Sequence, residues 1–118
     1  LKLVSKFWKF RNIKTIKGFY ENSLNEKLYK NFKSNKIKAS LINIDCDLEK
    51  SVEISLDFAL KFVTDGTVLH IDDYYTTCKG DPRKGIPKVV KQLLRKNKIF
   101  SEEWHLSSSC GKNFLLYK

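Results

Sequence analysis

Two stretches of this 118-residue sequence decide its fold: ASLINIDCD at residues 39–47 and TVLHIDDY at residues 67–74. Each is a short, mostly apolar run that stops at a pair of acids, a pattern typical of a strand buried on both faces and followed by a polar loop. Between them, apolar residues recur at helical spacing from Val52 to Val63. A right-handed crossover of this length sets two parallel strands close together, so their carboxyl ends meet at one edge of the sheet.

The same alternation continues outside these stretches. Helical spacing is expected over residues 1–10, 24–32, 51–63 and 86–94, with Ser51 and either Asn22 or Ser23 as N-caps. Extended segments are expected over residues 13–16, 100–107 and 113–117, and the last two form a hairpin. The predicted fold is therefore α/β: a mostly parallel sheet with helices on both faces and a terminal antiparallel hairpin.

Length and charge limit the function classes. A chain of 118 residues has room for one domain of ordinary size and not for two. The net charge is +10, but residues 40–78 carry two Lys against eight acids. The cations are twenty Lys and three Arg, whereas phosphate forks and base edges favour Arg. These features disfavour nucleic acid as the partner.

The cysteines and the hydropathy favour a cytoplasmic protein. Cys46, Cys78 and Cys110 are odd in number, and no Cys-x-x-Cys pair occurs, so free thiols are expected rather than a disulfide framework or a zinc site. No stretch approaches 18 apolar residues, and no secretory leader is recognisable. We expect no membrane association.

The acids that end the two central strands form the candidate site. Asp45, Asp47, Asp72 and Asp73 are expected within a few ångströms of a common point. Crowded carboxylates raise one another's pKa unless a cation neutralises them. We therefore expect a hard divalent ion that takes oxygen ligands, Mg²⁺ above all, to bind these carboxylates and neutralise their charge.

These residues resemble the macrocin O-methyltransferase (TylF-type) family. Residues 44–51, Ile-Asp-Cys-Asp-Leu-Glu-Lys-Ser, and residues 65–74, Asp-Gly-Thr-Val-Leu-His-Ile-Asp-Asp-Tyr, are similar to its two acidic signatures. Upstream, residues 16–24, Ile-Lys-Gly-Phe-Tyr-Glu-Asn-Ser-Leu, are similar to a third. The three motifs occur in the family's order, and the resemblance extends from about residue 10 to residue 118.

The resemblance implies an S-adenosylmethionine-dependent O-methyltransferase that acts on a hydroxyl of a sugar or another small molecule. Asp45, Asp72 and Asp73 match the family's Mg²⁺ ligands, and Asp45 also matches the aspartate that takes the acceptor's proton. Phe19 and Tyr20 match the segment near the adenine, although a role as core aromatics is equally open. Tyr74 lines the acceptor pocket or packs against the loop that follows it.

Departures from the family pattern leave the acceptor open and predict a partial domain. Cys46, Glu49 and Val52 replace the family's Gly, Tyr and Thr. The resemblance implies a Rossmann-like class I methyltransferase fold with sheet order 3-2-1-4-5-7-6, of which residues 1–118 are the C-terminal part. No glycine-rich cofactor turn occurs in the sequence. We therefore expect the N-terminal cofactor-binding strands to be missing and this 118-residue piece to be inactive by itself.

Two other functions stay open. A nucleotide-sugar glycosyltransferase would use Asp45-Cys46-Asp47 as an Asp-x-Asp metal site, and a basic nucleic-acid-binding module would use residues 1–39. An aspartyl-phosphate phosphatase fits less well, because Leu48-Glu49 stands where it needs Thr or Val. We expect His70 to be a core or sheet-facing imidazole, His105 to be structural or at the surface, and a homo-oligomer to be possible.

Overall fold

The computed structural model describes residues 12–104 and 110–118. The helix expected over residues 1–10 and the role expected for His105 lie outside these residues. The described helices are α1 (Tyr20–Ser23), α2 (Glu26–Ser34), α3 (Glu49–Ala59), which continues as a 3₁₀ turn (Leu60–Phe62), and α4 (Gly85–Lys96). The strands are β1 (Ala39–Ile44), β2 (Val63–Ile71), β3 (Phe100–Trp104) and β4 (Lys112–Tyr117).

The four described strands form one mixed sheet in the order β1-β2-β4-β3. β1 and β2 are parallel, as the strand–helix–strand pattern predicts. β4 lies antiparallel to β2 on one side and to β3 on the other, which confirms the terminal hairpin. The expectation of a mostly parallel sheet is wrong for this part of the chain, because the returning strand β4 inserts beside β2 and makes two of the three pairings antiparallel.

Only one face of this sheet is covered by the described helices. Ile42 and Ile44 are buried, whereas Leu41, which points the other way, is 65% exposed. β2 repeats the pattern, with Leu69 and Ile71 buried. The expectation that these strands are buried on both faces, with helices on each, is therefore wrong for residues 12–104 and 110–118. The prediction failed because apolar side chains also occur on the other face of the sheet.

The core lies between the covered face and helices α3 and α4. Its members share near-complete burial and come from both layers: Ile42, Ile44, Val52, Leu56, Leu60, Leu69, Ile71, Ile86, Val90, Leu94, Phe114 and Leu116. α3 begins at Glu49, with Leu48 as its N-cap, so Ser51 is inside the helix and not its cap. Pro87 is in the first turn of α4, where its missing N–H costs nothing.

The N-terminal part of the described chain differs from its prediction. Residues 13–16 form no strand, and Ile13 and Ile16 are about half exposed. An isolated short β-branched run has no ladder to join, because no described strand pairs with it. α2 starts later than predicted, since the Asn25 side chain, rather than Asn22 or Ser23, accepts a hydrogen bond from the Leu28 N–H (3.0 Å) and caps it.

A hydrogen bond at the start of α4 holds the segment between β2 and α4 in place. The Thr77 hydroxyl accepts a hydrogen bond from the Ile86 N–H (2.9 Å). Gly85 has φ +60, and a Cβ there would collide with Thr77. Glycine is therefore required at this close approach, which fixes the loop that follows the second acid pair.

Lys112 joins β4 to the residues that follow the second acid pair. Its ammonium donates hydrogen bonds to Glu103 (2.7 Å) and to the Tyr75 hydroxyl (2.9 Å). It also lies 5.5–5.8 Å from the ring centroids of Tyr74, Tyr75 and Phe114, within cation–π range. The Lys112 side chain is only 15% exposed, so these partners replace most of its water.

Two groups of this cluster have raised pKa values. Burial raises the pKa of Tyr74 to about 12. Burial lowers the pKa of Lys112, but its hydrogen bonds to Glu103 and Tyr75, together with the charge interactions with the same two residues, outweigh that effect, and the net pKa lies above its ordinary value.

No helix among the described residues is long and apolar enough to span a bilayer.

The described helices cover only one face of the sheet. Shortening a leucine to alanine is therefore expected to lower the free energy of unfolding by different amounts on the two faces. Leu69→Ala removes a fully buried side chain and is expected to lower the free energy of unfolding by about 2–5 kcal/mol. Leu41→Ala, on the other face, is expected to cost less than about 1 kcal/mol. Urea unfolding of both variants checks this, and equal losses would contradict the assignment of faces.

The aromatic cluster predicts loss of stability at alkaline pH. Because the unfolded chain releases the Tyr74 proton near the ordinary pKa of 10 and the folded chain only at about 12, the free energy of unfolding falls as pH rises through that window. The raised pKa of Lys112 acts in the same direction above its ordinary 10.5. Tyr74→Phe is expected to flatten the fall in urea midpoints between pH 9.5 and about 12. A fall as steep as that of wild type would contradict the assignment.

Candidate active site

The acids predicted to converge follow the ends of two paired strands, but among the described residues they are not gathered at the common point that the sequence predicts. Asp45 follows β1 and Asp72 follows β2, and Ile44 pairs with Ile71 in the parallel register. The Asp72 N–H donates to the Ile44 carbonyl (3.0 Å), so the two strand ends stay joined beyond the last ladder pair. The backbone thus places the two acid pairs side by side.

The other three acids of this edge all act on the Asp73 carboxyl. Desolvation raises the pKa of Asp73, and a hydrogen bond between its carboxyl and that of Asp47 raises it further. The negative charges of Asp47, Asp72 and Asp45 act in the same direction. This is the mutual repulsion that the sequence predicts for crowded carboxylates.

The donor chemistry of this edge suits a hard divalent ion, because its ligands are carboxylate oxygens. Across residues 12–104 and 110–118, however, no three His, Cys, Asp or Glu side chains are arranged to hold a metal ion. Asp45, Asp72 and Asp73 therefore share an edge without surrounding one point.

Cys46, between the two acids of the first pair, turns inward. It packs against the core, and its Sγ lies 3.9 Å from the Ser55 hydroxyl of α3. Burial raises the pKa of its thiol, and the charges of Asp45, Asp47 and Asp73 add to the effect. The side chain at this position thus anchors the acidic loop to α3, while Asp45 and Asp47 are exposed.

His70 is linked to the second acid pair. As expected, it is a sheet-facing imidazole, half-buried in β2. Its Nδ1 lies 2.6 Å from Asn113 Oδ1 on the neighbouring strand, within hydrogen-bond distance. Its Nε2 lies 3.6 Å from Asp72 Oδ1. Sequence reasoning missed this row of three side chains, because Asn113 comes from β4 and nothing local indicates that β4 lies beside β2.

Phe19 and Tyr20 stand apart from the core. Phe19 is 80% exposed and Tyr20 is 37% exposed, so neither ring belongs to the core that the described residues form. They lie at the start of α1, and α1 lies beside α3. The next residue, Glu21, helps to raise the pKa of Lys50 in the first turn of α3, although the hydrogen bond from Lys50 to Glu53 contributes more. Both rings are thus available near the start of α3, which directly follows the acidic loop.

Tyr74 belongs to the packing. It is 3% exposed and meets the Phe114 and Tyr75 rings at centroid distances of 5.4 and 4.9 Å. Of the two roles considered for it, packing against the neighbouring loop is the one that the structure shows. Lys112, which holds this cluster, carries no local sequence signal beyond its position at the start of a strand.

Comparisons with known proteins show the fold and leave the family open. No protein-family model matches the sequence, and no curated protein matches it. Among solved structures, the chain is similar to that of the O-methyltransferase NovP, with a TM-score of 0.70 and 16% sequence identity. The match covers 99% of this chain and 43% of that one. The chain therefore has a methyltransferase-like fold and spans less than half the length of the structure it resembles.

Proposed function

We propose that this chain is the C-terminal part of an O-methyltransferase that moves the methyl group of S-adenosylmethionine to a hydroxyl of a sugar or another small molecule. The observation that carries the proposal is the edge where β1 and β2 end side by side, each followed by acids, in a methyltransferase-like fold. A fold alone hosts many functions, so the acids carry more weight here than the similarity.

Asp45 is proposed as the proton acceptor. When bound, S-adenosylmethionine would supply the methyl group, and its sulfur would keep the electron pair of the carbon–sulfur bond that breaks. The Asp45 carboxylate would accept the hydroxyl proton as the acceptor oxygen takes that methyl group. Asp45 suits this role because it is exposed at the edge of the sheet. Its backbone directly follows β1, which holds it in place. The products are the methyl ether and S-adenosylhomocysteine, and the other residues position the reactants.

Asp45, Asp72 and Asp73, which share this edge without surrounding one point, are proposed to hold Mg²⁺ once their side chains turn toward a common point. The carboxylate donors and their mutual repulsion support this assignment. When bound, such an ion supplies a lowered pKa for the acceptor hydroxyl. The chain's own contribution is to hold Asp72 beside β1 through the Ile44 carbonyl and to keep Asp73 next to Asp47.

Phe19 and Tyr20 are proposed to contact the adenine of S-adenosylmethionine. Their exposure close to the start of α3 supports this, because a packed ring could not stack on a base. The sequence has no glycine-rich turn for the rest of the cofactor, and we propose that the 118-residue piece alone does not methylate.

The proposed partner is the small hydroxyl acceptor, with no nucleic acid or membrane involved and with a homo-oligomer possible. The acidic edge supports this, since it would repel a phosphate backbone. A cytoplasmic location is proposed, in keeping with the unbridged thiols of Cys46 and Cys78.

Asp45→Asn in the longest polypeptide that the gene encodes is expected to lower methyl transfer by at least about a hundredfold, because the proton acceptor is lost. The measurement is transfer of a radiolabelled methyl group from S-adenosylmethionine, with Mg²⁺ present, to a panel of hydroxyl compounds. Asp57→Asn is the matched control, since Asp57 lies on α3 and pairs with Lys96.

Two results would overturn the proposal. One is methyl transfer by Asp45→Asn at the wild-type rate. The other is calorimetric binding of a nucleotide-sugar together with no binding of S-adenosylhomocysteine, which would favour the glycosyltransferase alternative.

A further inference from the structure

A concave surface lies at the opposite end of the sheet from the acids. It is a groove of about 640 Å³ between the last turns of α4 and the start of β3. β3 runs parallel to β2, since both are antiparallel to β4, so its first residue, Phe100, lies toward the amino ends of the strands. From the strand register, the groove is about 15–20 Å from the acidic edge.

The floor of this groove is apolar. Leu94 and Ile99 line it and are themselves 6% and 7% exposed, so they are anchored in the core. Phe100 stands at the side and is 78% exposed. An exposed phenyl ring beside a concave apolar floor leaves apolar surface in contact with water. An apolar group of a ligand would cover that surface favourably.

Three cations surround this floor: Lys91, Arg95 and Lys98. In the part of the chain that the structure describes, none of them pairs with an acid, and no acid lines the groove. Lys96, on the same helix, instead pairs with Asp57 at 2.9 Å.

The end of α4 does not use these cations. The Asn97 N–H and side-chain amide donate to the Leu93 carbonyl, and the Ile99 N–H donates to the Leu94 carbonyl. The Leu93 and Leu94 carbonyls are thus satisfied by amide groups and not by the side chains of these cations. The positive charges of Lys91, Arg95 and Lys98 are therefore available to bind an anion.

We propose that this groove binds one amphipathic anion, with a phosphate, sulfate or carboxylate head held by Arg95 and its neighbouring lysines and an alkyl tail laid on Leu94, Ile99 and Phe100. The guanidinium fork of Arg95 matches such a head in geometry as well as charge. The groove volume is that of a small-molecule site rather than of a macromolecular interface. The proposal does not depend on the proposed function.

Calorimetry with decyl phosphate, used below its micelle concentration, tests the proposal on the purified protein. Wild type is expected to bind decyl phosphate at least tenfold more tightly than either inorganic phosphate or decanol, because only the first offers both head and tail. The variant R95Q/K98Q and the variant F100S are each expected to weaken binding at least tenfold. R83Q/K88Q, which removes the same charge near the start of α4, is the matched control and is expected to bind as wild type does. Thermal melts verify that all variants fold.

Several outcomes would overturn the proposal. Equal loss of binding in R83Q/K88Q would indicate a general charge effect, and inorganic phosphate binding as tightly as decyl phosphate would indicate that the tail has no site. Capture by anionic vesicles without binding of the single amphiphile would assign the surface to a bilayer. Preference for an acidic peptide over decyl phosphate would assign it to a protein partner. Amide shifts on binding at residues 45–47 and 72–73, instead of at residues 98–101, would place the ligand elsewhere.

Discussion

The parallel pairing of β1 and β2 is the constraint on which the rest of the described structure depends. Its last link is the hydrogen bond from the Asp72 N–H to the Ile44 carbonyl, and this link brings two acid pairs from distant parts of the chain to one edge. The pairing is stabilised by burial of Ile42, Ile44, Leu69 and Ile71 under α3 and α4. Burial of these apolar side chains thus stabilises the strand pairing, and the carboxylates lie beyond the buried residues, in solvent.

Local patterns predicted much of this arrangement. An apolar run that ends in acids identifies both a strand and its carboxyl end, so the placement of Asp45 and Asp72 at one edge of the sheet followed from the crossover rule alone. Helices α2, α3 and α4 followed from periodicity, whereas the short α1 and the caps of α2 and α3 did not. Ser51 fits the composition of a cap, yet α3 begins two residues earlier at Glu49.

The rest could not be predicted, because it depends on β4. No short-range signal places a C-terminal strand between β2 and β3, and that placement makes the sheet mixed. It also brings Asn113 to His70 and Lys112 to Tyr75, the two contacts that flank the second acid pair. Residues 13–16 show the converse case, since a β-branched run predicted a strand that has no described neighbour to pair with.

The most direct test of the acidic edge as a functional centre is paramagnetic broadening of amide signals by Mn²⁺. Binding of one ion there predicts selective loss of the signals of residues 45–47 and 72–74 at low Mn²⁺, with residues 98–101 unaffected. Uniform broadening near every exposed acid, Glu26 and Glu102 included, would contradict the account.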